Sequence, residues 1–183
     1  MSIVATISGE SSNSYVTLAE ANEYFAGRLR AEAWETAKDG DKEKALLTAC
    51  RHIEACRIRI ERDVIGGPLS PVVDTQALSF PRYRDVNANL TYIVPEPVKQ
   101  AQCEEALALL AYGPTASRRS ALQAAGVIAY SVDGLSETYG TARSNSPVVS
   151  AEARGLIAPF ILRGGVLATS PWPQGELTPG SRT

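Results

Sequence analysis

The sequence predicts a mainly α fold: a helical bundle of about four helices with a small β-hairpin, an extended loop and a C-terminal arm. Three observations lead there. Apolar residues recur at helical spacing in several separate segments, prolines and glycines crowd the stretch between the second and third of these, and one short segment alternates apolar and polar residues around Asp133-Gly134. A chain of 183 residues with 44% hydrophobic content can bury one core, and its length demands no second domain. Residues 1–163 are therefore read as a single domain, and 164–183 as a flexible arm rich in proline and glycine.

The first helix is expected from Thr17 to Arg30. Thr17 with Glu20 has the form of a capping box, and Leu18, Ala21, Phe25 and Leu29 share a face. A second helix, capped by Asp39 or Asp41, is expected to run on to Asp63 with Leu46, Ala49, Cys50, Ile53 and Ile60 inward. Between residues 63 and 95, Gly66, Gly67, Pro68, Pro71 and Pro81 break any regular pattern and make a long loop. The third helix opens at Pro95-Glu96-Pro97, turns Cys103, Ala106, Leu107 and Leu110 inward, and stops at Gly113. A hairpin over about 125–139 follows. Ser150 caps a last helix whose Ala153, Leu156, Ile157, Phe160 and Ile161 share a face, with Pro159 placed to kink or shorten it.

Composition narrows the chemistry. A net charge of -2 and a pI near 5.5 argue against nucleic-acid binding by overall charge, while leaving room for a local basic patch. Cys50, Cys56 and Cys103 fit neither a disulfide framework nor a metal knuckle and are expected as reduced core thiols. The sequence shows no signal-peptide pattern and no apolar stretch of bilayer length. His52 has no partner at metal-ligand spacing; adjacent Glu104 and Glu105 point in different directions on their helix, and Glu20 and Glu23 read as a solvated face, so neither is read as an acid–base pair. Gly66-Gly67 and Gly164-Gly165 open no phosphate loop, and no serine sits in a nucleophile elbow. No catalytic, cofactor-binding or metal-binding residue is predicted, and no cofactor.

The basic residues remain. Arg51, Arg57, Arg59 and Arg62 follow one another in the second helix, Arg82 and Arg84 bracket Tyr83, and Arg118-Arg119 precede the hairpin. Arginine beside aromatic rings suits single-stranded DNA, through phosphate contact and stacking, and it equally suits protein interfaces. Twenty acidic residues against eighteen basic ones tilt the choice towards protein contact. Arg59, Arg62, Arg82 and Arg84 are the contact candidates, and Trp172, between two prolines, is a candidate arm anchor.

The segments "NSYVTLAEANEYFAGRLRAEAW", "DTQALSFPR", "VPEPVKQAQCEEALALLA", "VDGLSETY" and "SAEARGLIAPFI" occur in that order, from about Asn13 to Leu162. Together they resemble a phage family of DnaT-like single-stranded DNA-binding proteins, and they are also similar to the head-tail connector, or adaptor, proteins of tailed phages. The second resemblance implies a structural protein of the virion neck, made in the host bacterial cytoplasm. It would assemble as a homo-oligomeric ring under the portal protein, a dodecamer if it copies the portal's symmetry, and contact further neck or tail proteins. DNA would pass through the lumen in weak or transient contact, with no membrane and no catalysis involved. In that expectation Leu78 and Phe80 anchor the central loop, Pro81 turns the chain, and Arg82 and Arg84 face a neighbour. The alternative is a single-stranded DNA-binding accessory protein of phage replication.

Overall fold

The computed structural model describes the backbone of residues 2–124, 129–132, 135–138 and 147–162, and the side chains of 2–111 and 147–162. Among these residues it is mainly helical, with α1 (Leu18–Ala26), α2 (Glu32–Glu35), α3 (Asp39–Glu54), α4 (Glu96–Ala124), α5 (Ala151–Ile157) and a 3-10 turn at Ala158–Phe160. Helix α2 is an addition to the expected set.

Helix α1 begins with the capping box: the Thr17 hydroxyl accepts from the Glu20 amide at 3.2 Å, and the Glu20 carboxylate accepts from the Thr17 amide at 2.8 Å. It stops at Ala26, short of Arg30, so Leu29 leaves the buried stripe and is 87% exposed. Helix α2 then buries Trp34, whose ring lies 4.5 Å from that of Phe25 and whose Nε1–H donates to Asn22 Oδ1 at 3.0 Å. Helix α3 ends at Glu54, well before Asp63. Beyond it Arg57-Ile58-Arg59-Ile60 alternates with the period of a strand, and burial follows that period: both arginines are exposed and Ile58 is buried.

Helix α4 passes Gly113, the expected stop, and reaches Ala124. A glycine costs a helix about 1 kcal/mol relative to alanine, too little to end one already locked by packing. Every residue from Ala101 to Ala108 is buried, so this octet of α4 is covered all round, unlike a surface helix with one inward stripe. One apolar cluster on it includes Phe25, Trp34, Leu46 and Leu107. The other includes Ile53, Phe80, Val98, Ile157 and Phe160.

Central placement buries Glu104 and Glu105, which are 5% and 0% exposed. Each buried polar group on α4 is matched, as burial requires. Glu104 accepts from the Tyr24 hydroxyl at 2.7 Å and from Nε and Nη2 of Arg28. Gln102 donates to Ser14 Oγ at 2.7 Å and to the Leu46 carbonyl at 2.9 Å, while accepting from the Tyr15 amide. Glu105 accepts from the amides of Val149 and Ser150 at 3.0 and 2.8 Å, and its other contact is His52 Nδ1 at 2.6 Å. It thus supplies a negative charge to the start of α5, whose N-cap is Ser150. That helix stops at Ile157, and Pro159 lies in the 3-10 turn that replaces its continuation.

Strands β1 (Ala129–Val132) and β2 (Leu135–Thr138) pair antiparallel, from Ala129 opposite Thr138 to Val132 opposite Leu135. Asp133-Gly134, expected to turn between them, lies outside the described residues, as does the 164–183 arm. The fold class therefore rests on the helices.

Two expected outcomes follow from this core. Glu105→Gln keeps the volume but removes the charge from the α5 amides and His52. It should cost about 2 kcal/mol in urea unfolding, the worth of a charge-assisted hydrogen bond. An unchanged midpoint would show that α5 is held by apolar packing alone. Burial, above all, pushes the Cys50 and Cys103 thiols up to about 12, and it raises Cys56 as well. All three should resist iodoacetamide in the native protein at mildly alkaline pH and react once denaturant is added. The same shifts make stability fall as pH rises past the unfolded thiol's value of about 8.5, because the unfolded chain then releases protons that the folded chain keeps.

Candidate functional site

The stretch after α3, expected partly as helix and partly as open loop, is a lattice of extended segments. On one side of 57–62, the Arg59 amide donates to the Phe160 carbonyl at 2.9 Å and the Leu162 amide to the Arg57 carbonyl at 2.8 Å. On the other, the Glu61 amide reaches the Leu69 carbonyl at 3.2 Å. The chain then pairs with itself again: Tyr83 donates to Ser70 at 3.1 Å, Arg84 to Pro68 at 3.3 Å, and Val86 bridges Tyr92. Buried Gln76 ties the corner, accepting from the amides of Val72 and Val73 and donating to the carbonyls of Leu78 and Pro81. Extended chain in so compact a stretch satisfies its backbone groups this way because no helix is there to do so.

At the centre lies "TQALSFPR". Phe80 is the expected anchor, buried with its ring edge-on to Tyr15 and Phe160 at centroid distances of 5.9 and 5.3 Å. Leu78 packs against the same cluster. Arg82 departs from expectation, because its side chain is 0% exposed and so faces no neighbour. Its guanidinium carbon sits 4.3 Å from the centroid of Phe80 and 5.3 Å from that of Phe160. Its Nε donates to Asp85 Oδ2 at 3.2 Å, its Nη1 to the Arg59 carbonyl at 2.9 Å, and its Nη2 has no hydrogen-bond partner among the described residues. Desolvation lowers its pKa, against the pull of Asp85. The physical reason for burial is that the planar cation can lie against two mutually packed rings while one carboxylate neutralises it.

The other candidates sit on the outside of this lattice. Arg59 and Arg62 are exposed, together with Arg57. Among the described residues these three form no ion pair. Arg84 has a half-exposed side chain, its Nε 3.7 Å from Asp85 Oδ1. Trp172 lies outside the described residues. The structure thus links Arg59 to Arg82 through a backbone carbonyl and separates their side chains, one in solvent and one in the core. Arg57, Tyr92 and Asp85 belong to the same region and were not among the candidates. The R-I-R-I alternation would have flagged Arg57, and the three-residue spacing from Arg82 would have flagged Asp85.

Chemically, guanidinium groups without ion pairs on an extended strand suit a polyanion, since each offers a charge and a planar fork of donors. The groove of about 320 Å³ beside α1 and α4 does not, being lined by Glu20, Glu23 and Glu96 with Lys99. Among the described residues no cluster of metal-ligating side chains occurs, and no helix is long and apolar enough to cross a membrane.

Residues 2–170 match the family described as "Putative DnaT-like ssDNA binding protein". The chain belongs to this DnaT-like family. No curated protein and no solved structure matches it. Membership overturns the expectation of a head-tail connector in a virion neck: the family is described by DNA binding, and nothing in the match speaks of a connector, a portal partner or a dodecameric ring. The expectation leaned on net charge, which averages over the molecule. A local face of arginines, as in this DnaT-like chain, is invisible to it.

Arg82→Met, which keeps length and apolar bulk, takes the buried partner from Asp85 and leaves it only the more distant, half-exposed Arg84, and should destabilise the protein by about 3 kcal/mol in urea unfolding. Phe80→Ala should cost about 3 kcal/mol as well, as large aromatic truncations in cores do. A surface residue would show neither loss.

Proposed function

We propose that this chain binds single-stranded DNA, holding phosphates on the outward face of residues 57–62 and on Arg84, and that it does so as a binding protein rather than an enzyme. One observation carries the proposal. Arg57 and Arg59 point outward from an extended segment, about 6.6 Å apart, with no ion pair to consume their charge among the described residues. The description of the family supports the same ligand. Glu61 and Asp63 lie in the same stretch and keep its net charge small, so binding is modest and weakens as salt rises.

The test is fluorescence anisotropy with a labelled oligo-dT across a salt series. The logarithm of affinity should fall linearly with the logarithm of salt concentration, by about 0.7 for each phosphate engaged. Arg57→Ala/Arg59→Ala should weaken binding at every salt and flatten the slope by about 1.4, twice that increment. Absence of binding at low salt, or binding indifferent to salt, would defeat the proposal.

A further inference from the structure

Beside the arginine face, the lattice brings two tyrosines together. Tyr83 follows buried Arg82, and Tyr92 bridges Val86 from the returning arm of the 85–93 turn. Their rings meet edge to face, with centroids 6.0 Å apart and planes at 87°. Both side chains are partly exposed, and in such a pair the far face of the receiving ring is left uncovered by its partner. Around them Arg84, Val86, Leu90 and Ile93 are exposed, with Leu90 at 82%.

The neighbouring rings Phe80 and Phe160 are buried and close the core, whereas Tyr83 and Tyr92 remain partly in solvent. Val86, Leu90 and Ile93 expose apolar surface around a cation, a combination that suits a flat, apolar-faced ligand attached to an anionic backbone. Unpaired nucleobases have that form: each has an open π-face and hangs from a phosphate chain, whereas bases in a duplex have their faces covered by their neighbours.

We infer that Tyr83 and Tyr92 form a platform on which unpaired bases stack, with Arg84 holding the adjoining phosphate. The inference rests on the single-stranded DNA reading above and adds to it the source of preference for unpaired strands. Phosphate contact alone does not tell one strand from two, while stacking does.

Two oligonucleotides of equal length separate the possibilities, one of thymines and one abasic with the same phosphates. The protein should bind the abasic strand about tenfold more weakly, in line with the worth of one or more stacked bases. Tyr83→Leu/Tyr92→Leu should lose that discrimination with an unchanged salt slope, and Tyr83→Phe/Tyr92→Phe should keep it. Arg57→Ala/Arg59→Ala should weaken both strands alike. Should the leucine variant fail to fold, photo-crosslinking of an iodouracil strand to the unaltered protein, mapped by mass spectrometry, should place the adduct on Tyr83 or Tyr92. Equal binding of the two strands, or adducts confined to other residues, would overturn the platform and leave phosphate binding standing. Binding of neither strand would overturn both.

Discussion

Glu105 has no exposed surface, yet its carboxylate draws on an imidazole from α3 and on two backbone amides from the start of α5. An anion in such a place is tolerable only when donors surround it, and an unpaired one would be costly enough to reorganise the core. The arrangement therefore joins three helices at one point, with a directionality that apolar packing alone lacks. It also sets where α5 begins, because the amides it binds are among those that a helix N-terminus leaves without partners.

From that point the constraint passes outward. Helix α5 leads into the 3-10 turn, whose last residue, Phe160, contributes a ring above Arg82 and a carbonyl to the Arg59 amide. Arg82 in turn donates to the Arg59 carbonyl. Both backbone groups of Arg59 are thus held from the core side, and its side chain is left for solvent. Exposed Arg59 is positioned by buried Phe160 and Arg82, the arrangement expected where a flexible charged side chain has to present itself from a defined place.

Local chemistry was legible in the sequence wherever the partner lay within a few residues. Thr17 with Glu20 announced the first helix, Ser150 and Pro159 bounded the last, and Phe80 read with Leu78 as an anchor of the central loop. The misreadings all involve distant partners or a change of period. The burial of Glu104 and Glu105 was not legible because the residues that cover them, Tyr24, Arg28 and His52 among them, are distant in sequence. Arg82 looked like a surface cation because one of its two rings, Phe160, and one of its acceptors, the Arg59 carbonyl, come from distant parts of the chain. The Arg57–Ile60 stretch was drawn into α3 by the apolar spacing of Ile53 and Ile60, although alternation over four residues was the better guide. Function was misjudged for a related reason, since net charge says nothing of where charges gather.

The unbroken burial of Ala101 to Ala108 has a consequence for how this chain can vary. A helix with one buried stripe can absorb an added residue by rolling on its free side. This one has no free side along that octet. One extra residue ahead of it would turn every following side chain by about 100°, carrying Gln102 off the Leu46 carbonyl and Glu105 off α5 in the same movement. Length is thus frozen here more tightly than identity. Insertions and deletions belong instead at the turn around Leu90, where the backbone is already left-handed and the side chains on either side are open to solvent.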